Sequence, residues 1–246
     1  MEKATREQTK YHNARLVLKT IYQQGDASRA DIARITNLTR TTVSDIVAEL
    51  IENGLLVETG MGASDAAGGK PPILLKVQEN GRHLICLDLD THPFSGAIVN
   101  LRGQIVHRAE AGPSGAAPRG VEALQAIYEL IDKLVKHTSA PLIGIGVGVP
   151  GLTDAVNGIV RDTVHLDWDD MPLGSLLSER YQVPVYLLND SHAAALAEFT
   201  FGEMCGSPNL ILVRIDEGIG AGILLSGRLH FGDSFGAGEI GHLTVV

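Results

Sequence analysis

The sequence predicts an α/β protein preceded by a small helical module that two strands close. Three observations carry this: apolar residues at helical spacing over the first fifty positions, alternation of strand-like and helical segments from Leu84 onward, and a division of charge near residue 80. Residues 1–80 hold ten Lys and Arg against ten Asp and Glu, whereas residues 81–246 hold ten against nineteen, so the whole formal charge of −9 belongs to the second part. Two domains are therefore expected, 1–80 and 81–246. A chain of 246 residues that is 44% hydrophobic and 20% charged can bury a sizeable core, which excludes a disordered chain, and two cysteines exclude a disulfide scaffold. The acidic balance excludes a generally basic protein that coats nucleic acid, although a neutral module can still bind DNA through a local patch. Glycine is abundant at 28 residues, well above the usual ~7%.

Ala14, Val17, Leu18, Ile21 and Tyr22 form one face of a first helix that stops near Gly25-Asp26. Ser28-Arg29-Ala30-Asp31 has the form of a capping box for a short second helix, with Ala30, Ala33 and Ile35 expected to pack. Thr36-Asn37-Leu38 is a turn, and Thr39 caps a third helix whose buried stripe is Val43, Ile46, Val47, Leu50 and Ile51, with Gly54 as its stop. Three helices with a tight turn between the second and third fit a helix-turn-helix. Arg40, Thr41, Thr42, Ser44 and Asp45 crowd the polar face of the third helix, where a recognition helix meets bases and phosphates. Leu55-Leu56-Val57 and Ile73 to Val77 are strand-like, and the Gly/Ala/Ser-rich tip between them ends in Lys70-Pro71-Pro72, which makes a wing. The expected DNA-contacting residues are Ser28, Arg29, Thr39, Arg40, Thr41, Thr42, Ser44 and Lys70. The alternative is a small helical protein-binding module with a solvated polar face.

In the acidic part, Leu84 to Leu89, Gly96 to Val99 and Gln104 to Val106 read as strands, with Asn100 to Gly103 as a turn. A helix with Val121, Leu124, Ile127, Tyr128, Ile131, Leu134 and Val135 on one face follows, then a buried strand from Leu142 to Val147. This order describes a mixed sheet with helices. Val149-Pro150-Gly151 is a tight turn of the kind that approaches a ligand. The strand Val183 to Leu188 runs into Asn189-Asp190 at a helix start, which suits either a small-molecule site or a plain helix cap. Alternate glycines in Gly218-Ile219-Gly220-Ala221-Gly222 would let a hairpin approach a phosphate or sugar, and Gly236 to His242 brings Glu239 and His242 into a glycine-rich turn suited to polyol recognition or metal ligation. No apolar segment follows the basic N-terminus, the longest apolar run is too short to span a bilayer, and Cys86 and Cys205 read as buried thiols in a reducing compartment, so a cytoplasmic protein with no membrane partner is expected.

Taken together, Ser28 to Ala33, Thr42-Val43-Ser44, Gly69-Lys70-Pro71, Val149 to Leu152, Asn189-Asp190 and Gly218 through His242 resemble the ROK family (repressors, open reading frames and sugar kinases) in its repressor branch with an N-terminal winged helix. The resemblance runs from about Asn13 to Val246 and implies an actin-like α/β domain, here incomplete in its second lobe. It implies that Asp190 matches the general base of the family's kinases, that Gly151, Asn189, Glu239 and His242 lie at a sugar, and that His242 matches a zinc ligand. Two departures bear on this. The kinases' Asp-x-Gly-Gly-Thr phosphate loop is replaced by Asp88-Leu89-Asp90-Thr91-His92-Pro93, which lacks both glycines, adds a carboxylate and places a proline without an N–H donor. The cysteine motif that completes the family's zinc site does not follow His242.

The expectation is a non-enzymatic transcriptional regulator, a repressor of carbohydrate genes such as those for xylose. It would bind operator DNA as a homodimer under control of a sugar or sugar phosphate, with no ATP, zinc or other cofactor and no catalytic residue. The rival expectations are a ROK-type sugar kinase and a DNA-binding fragment that no sugar affects.

Overall fold

The computed structural model describes residues 5–61, 71–113, 115, 118–163, 165–216 and 218–244. They pack into two compact units, one taking the described residues up to Arg82 together with Asn100–Gln104, the other His83–Val99 and the described residues from Ile105 on. The expected division at 80/81 thus moves by two residues, and one turn from the acidic part joins the first unit.

In the first unit, helix α1 (Arg6–Gln24) begins at Thr5, which exchanges hydrogen bonds with Gln8, and stops at Gly25 with φ of 80°. A second capping box joins Ser28 and Asp31 at the start of α2 (Arg29–Thr36), and Asn37 ends that helix in the left-handed region. Thr39 caps α3 (Arg40–Glu52) by accepting from the Thr42 amide at 3.1 Å. Strands β1 (Ala27–Ser28), β2 (Leu56–Met61) and β3 (Ile73–Val77) form a sheet in the order β1-β3-β2, which is the wing. Residues 62–70, with the expected DNA contact Lys70, lie outside the described residues. The core gathers Val17 and Ile21 from α1, Ile32 from α2, Val43, Val47 and Leu50 from α3, and Leu56 and Leu75 from the sheet.

One expectation fails in α2. Its buried residue is Ile32, whereas Ile35, expected to pack, is 48% exposed, and Ala30 is exposed too. A helix of two turns meets its neighbours along a narrow stripe, and the roughly 60° between positions 32 and 35 is enough to turn Ile35 outward. The turn Asn100–Gln104 belongs to this unit through Leu101, which joins its apolar core, and Arg102. The Arg102 guanidinium lies 4.5 Å above the Tyr22 ring and donates to the Tyr22 carbonyl at 2.8 Å. That carbonyl is in the last turn of α1, where no intrahelical partner exists.

The second unit is built on a five-stranded sheet in the order β11-β7-β4-β5-β6. It comprises β4 (His83–Asp88), β5 (Phe94–Asn100), β6 (Ile105–Ala111), β7 (Leu142–Val149) and β11 (Val185–Asn189), with β4, β7 and β11 parallel. Helix α4 (Gly120–His137) covers it with Ala123, Ile127, Leu130, Ile131 and Leu134, close enough that a Cβ on Gly96 of β5 would stand 2.8 Å from Leu87 and 3.0 Å from Leu134. Val121, expected on this buried face, is 72% exposed, because the helix only begins there, and Val135 is also exposed. Cys86, expected buried, sits on the outward side of β4, where Ile85 and Leu87 take the inward positions; Cys205 is exposed as well. A three-stranded meander, β8 (Leu152–Asp154), β9 (Ile159–Thr163) and β10 (Trp168–Met171), and helix α5 (Leu173–Tyr181) had no counterpart in the sequence reading. Helix α6 (Asp190–Phe201) then packs on the sheet of β12 (Leu210–Ile215), β13 (Ile219–Leu225) and β14 (Arg228–Leu229).

The contrast within α2 is measurable. Ile32→Ala is expected to cost ~2–5 kcal/mol of stability as a cavity in a packed core. Ile35→Ala should stay within ~0.5 kcal/mol as a surface change. Urea unfolding of the two variants checks this, and equal losses would mean that α2 is rotated differently.

Candidate functional site

Because β4, β7 and β11 are parallel, their C-terminal ends emerge together, with Asn189 beside Val149 and Asp88 beside Gly148. A cleft of about 570 Å³ opens at this edge, as α/β sheets place their ligand sites. Gly151, just after β7, has φ of 92°, and a Cβ there would stand 2.4 Å from the Asp162 carbonyl oxygen, so only glycine fits. The Asn189 side chain donates to the Gly151 carbonyl at 3.1 Å and accepts from the Ser191 and His192 amides at 2.9 and 3.2 Å. Of the two roles open for Asn189, the structure assigns the cap, and the amide also anchors the Gly151 turn.

Asp190 is the first residue of α6 and lines the cleft. Its Oδ1 accepts from the Ser191 amide at 2.6 Å and its Oδ2 from Arg214 Nη1 at 2.6 Å. Arg214 Nη2 reaches Asp90 Oδ2, also at 2.6 Å, and Asp216 at 3.4 Å. Burial pushes the Asp190 carboxyl above its ordinary range and the nearby Asp90 charge adds to this; the Ser191 amide and Arg214 pull the other way without cancelling it. Arg214 was missed in the sequence. The available signal was a lone cation in the apolar strand Leu210 to Ile215, where it shares the inward side of β12 with Leu212.

Glu239 and His242 come to the same cleft on the turn leading into a short 3-10 helix, Ile240–His242. They approach each other to 3.8 Å, and the His242 side chain is 86% exposed. The turn is held from two sides. His192 Nε2 donates to the Ala237 carbonyl at 2.8 Å, and the Ala221 amide donates to the Gly238 carbonyl at 2.8 Å. The glycines of β13 have a different role from the expected one: a Cβ on Gly220 would stand 2.5 Å from Ser191 Oγ, and on Gly222 2.3 Å from the Ala195 Cβ. They let the strand lie on α6, and only Gly218, with no atom within 4 Å of such a Cβ, faces open space. Among the described residues, no three His, Cys, Asp or Glu side chains lie close enough to hold a metal ion, and His242 with Glu239 falls short of the four ligands of structural zinc.

In the first unit, Thr39, Arg40, Thr41 and Ser44 are exposed at the start of α3, and Thr42 is half-buried with its hydroxyl 2.8 Å from that of Thr39. Ser28 is 4% exposed and engaged with Asp31, so burial removes it from the expected DNA-contacting set. Arg29 is half-buried in an ion pair with Glu58 at 2.8 Å.

Fold and site define a winged helix-turn-helix module carried on one chain with an actin-like α/β unit that opens into a polar cleft. The chain belongs to the ROK family, whose pattern matches residues 84–246, and a winged helix-turn-helix DNA-binding pattern matches residues 12–57. It is 35% identical over 236 residues to the xylose repressor of Caldicellulosiruptor bescii, covering 95% of this chain and 58% of that one. It is 32% identical to the N-acetylglucosamine repressor of Escherichia coli O157:H7, covering 95% and 57%. A crystal structure of a ROK family transcriptional regulator, a homologue of the E. coli MLC protein, superposes with a TM-score of 0.82 at 27% identity, over 97% of this chain and 60% of that one. A ROK family glucokinase from Streptomyces griseus, in complex with glucose and AMPPNP, superposes with a TM-score of 0.58 at 25% identity, over 67% and 51%. The chain therefore spans a little under three fifths of the length of the curated relatives it matches. Among the described residues no helix is long and apolar enough to cross a membrane.

Gly151→Ala is expected to lower stability by more than ~1 kcal/mol, since a Cβ there meets both an unfavourable φ and the Asp162 carbonyl. Urea unfolding checks this. An unchanged midpoint would mean that the turn after β7 relaxes freely.

Proposed function

We propose that this chain is a sugar-responsive transcriptional regulator, a repressor of carbohydrate-metabolism genes that works in the cytoplasm as a homodimer on operator DNA. The observation that carries the reading is the start of α3, where a capped helix of a winged module presents Arg40, Thr41 and Ser44 to solvent. That end of a recognition helix enters the major groove, where Arg pairs with guanine and Thr or Ser meets phosphate or a thymine methyl. Thr39, Thr42, Arg29 and Lys70 complete the proposed contact set.

The ligand half of the reading rests on the cleft of the second unit. Asp190, Glu239 and His242 are the side chains that a sugar would meet, with Gly151 and Asn189 shaping the wall behind them. The similarity to repressors whose names specify xylose and N-acetylglucosamine supports a sugar as effector. The reading needs neither ATP nor zinc. A kinase is disfavoured by the first turn after β4: Asp90 is a carboxylate where a phosphate loop needs glycine amides, and Arg214 holds both it and the carboxylate of Asp190.

Two predictions follow from the two halves. With a duplex recovered by selection from a random pool, Arg40→Ala should weaken specific binding by ~1–3 kcal/mol in a gel-shift titration. Unchanged affinity would refute the placement of α3 on the bases. Addition of D-xylose or another neutral sugar should release that duplex at a fixed protein concentration, and Asp190→Ala should abolish the release while leaving sugar-free binding intact. A complex that no sugar of a pentose and hexose panel releases would remove the effector half of the reading.

A further inference from the structure

We infer that the cleft selects uncharged sugars against their phosphorylated or acidic forms, and that Arg214, committed to Asp90 and Asp190, sets this selectivity. The inference rests on the reading of the cleft as a sugar site and narrows its ligand class. Five acidic residues line the cleft among the described residues: Asp90, Asp162, Asp190, Asp216 and Glu239. Arg214 is the one permanent cation among the described lining residues, since His165 and His242 carry charge only when protonated. The lining is thus rich in acceptors and poor in donors. A sugar hydroxyl supplies a donor without bringing charge, and several hydroxyls can satisfy several carboxylate oxygens at once.

A phosphate ester is the opposite case. It carries about −1.5 to −2 charge at pH 7 and presents only acceptors. Its natural partner would be Arg214, yet both terminal nitrogens of that guanidinium are already engaged, at 2.6 Å to Asp190 and 2.6 Å to Asp90, with Asp216 also at 3.4 Å. To take Arg214, the phosphate would have to displace carboxylates that are themselves partly buried and would be left unpaired. It would also do so with the remaining acidic groups around it. A uronate meets the same obstacle with a single charge, which separates charge from the added bulk of a phosphate.

The test is calorimetric titration of the 246-residue chain at pH 8 with glucose, xylose and N-acetylglucosamine, set against glucose 6-phosphate, xylose 5-phosphate, N-acetylglucosamine 6-phosphate and glucuronate. The expected result is that at least one neutral sugar binds and that its charged counterpart binds at least tenfold more weakly. In the Asp90→Asn/Asp216→Asn variant, which frees part of Arg214, the gap should narrow at least threefold, with the fold checked by thermal unfolding. A phosphate ester that binds as tightly as its parent sugar would overturn the inference and leave the sugar-site reading standing. A gap that does not move in the folded variant would overturn the role of Arg214. Absence of binding by every compound, neutral and charged, would remove the sugar-site reading and this inference with it.

Discussion

The side-chain amide of Asn189 is the small interaction on which the cleft depends. Its oxygen takes the two free amides at the start of α6, and its nitrogen holds the carbonyl of Gly151. An isolated helix start leaves such amides without partners, and a turn as tight as that at Gly151 leaves its carbonyl exposed. One amide answers both demands and thereby joins the end of β11, the turn after β7 and the first turn of α6. Asp190 is the next residue, so the cap sets its backbone position while the Ser191 amide and Arg214 fix its carboxylate. The same helix start then supports the rest of the cleft. His192 on α6 holds the Ala237 carbonyl of the turn that carries Glu239 and His242. Helix capping, the plainer of the two readings of Asn189-Asp190, is therefore the means by which the cleft-lining residues are brought together.

The legible part of the sequence was that governed by local rules. The capping box at Ser28 and the cap at Thr39 act between residues three apart, so Ser28, Asp31 and Thr39 could be assigned from spacing alone. The stripe of α3 was equally plain, because thirteen residues give three turns of repeat. The stripe of α2 was not, because a helix of eight residues offers too few repeats to choose between Ile32 and Ile35. In the second unit, the main strands and α4 were visible as apolar runs, while the short strands β8, β9 and β10 lie among polar residues and depend on pairing with one another. The site was half legible. Asp190, Glu239 and His242 stood out by type and company, whereas the partnership of Arg214 with Asp90 joins residues 124 positions apart, and no spacing rule reaches that far.

The abundance of glycine has several physical origins in this chain, and they matter for reading such motifs elsewhere. Gly151 answers to backbone conformation and to the Asp162 carbonyl together. Gly220 and Gly222 answer to the surface of α6, since the strand and helix meet at a distance that leaves no room for Cβ atoms. Gly238 and Gly241 answer to the backbone of β13, which a Cβ at either position would strike. A run of alternate glycines beside a cleft suggests backbone approach to a ligand, but here two of the three in Gly218 to Gly222 are consumed by internal packing. The glycine-rich segment is a construction of the scaffold that happens to border the cleft, and the chemistry is supplied by the charged groups around it.

On the proposed reading the cleft does not transfer phosphate, and those charged groups are the physical reason. Phosphoryl transfer is mostly positioning and stabilisation of charge, and it requires donors that converge on an anion. In this chain the corresponding edge of the cleft carries Asp90, and the cation that could offset it is shared with Asp190 and Asp216. The Asp190 carboxylate is held in place by Arg214 and by the Ser191 amide. Replacing Asp90 alone by glycine would not rebuild a nucleotide site, because Arg214 would remain on Asp190 and the backbone beyond would still pass through Thr91, His92 and Pro93, the last without an N–H to offer. On the inference drawn above, the same pairs that work against a phosphate leave carboxylate oxygens as acceptors for hydroxyl groups. One arrangement of charge thus supports both halves of the proposed reading, the absence of phosphoryl transfer and the binding of an uncharged sugar.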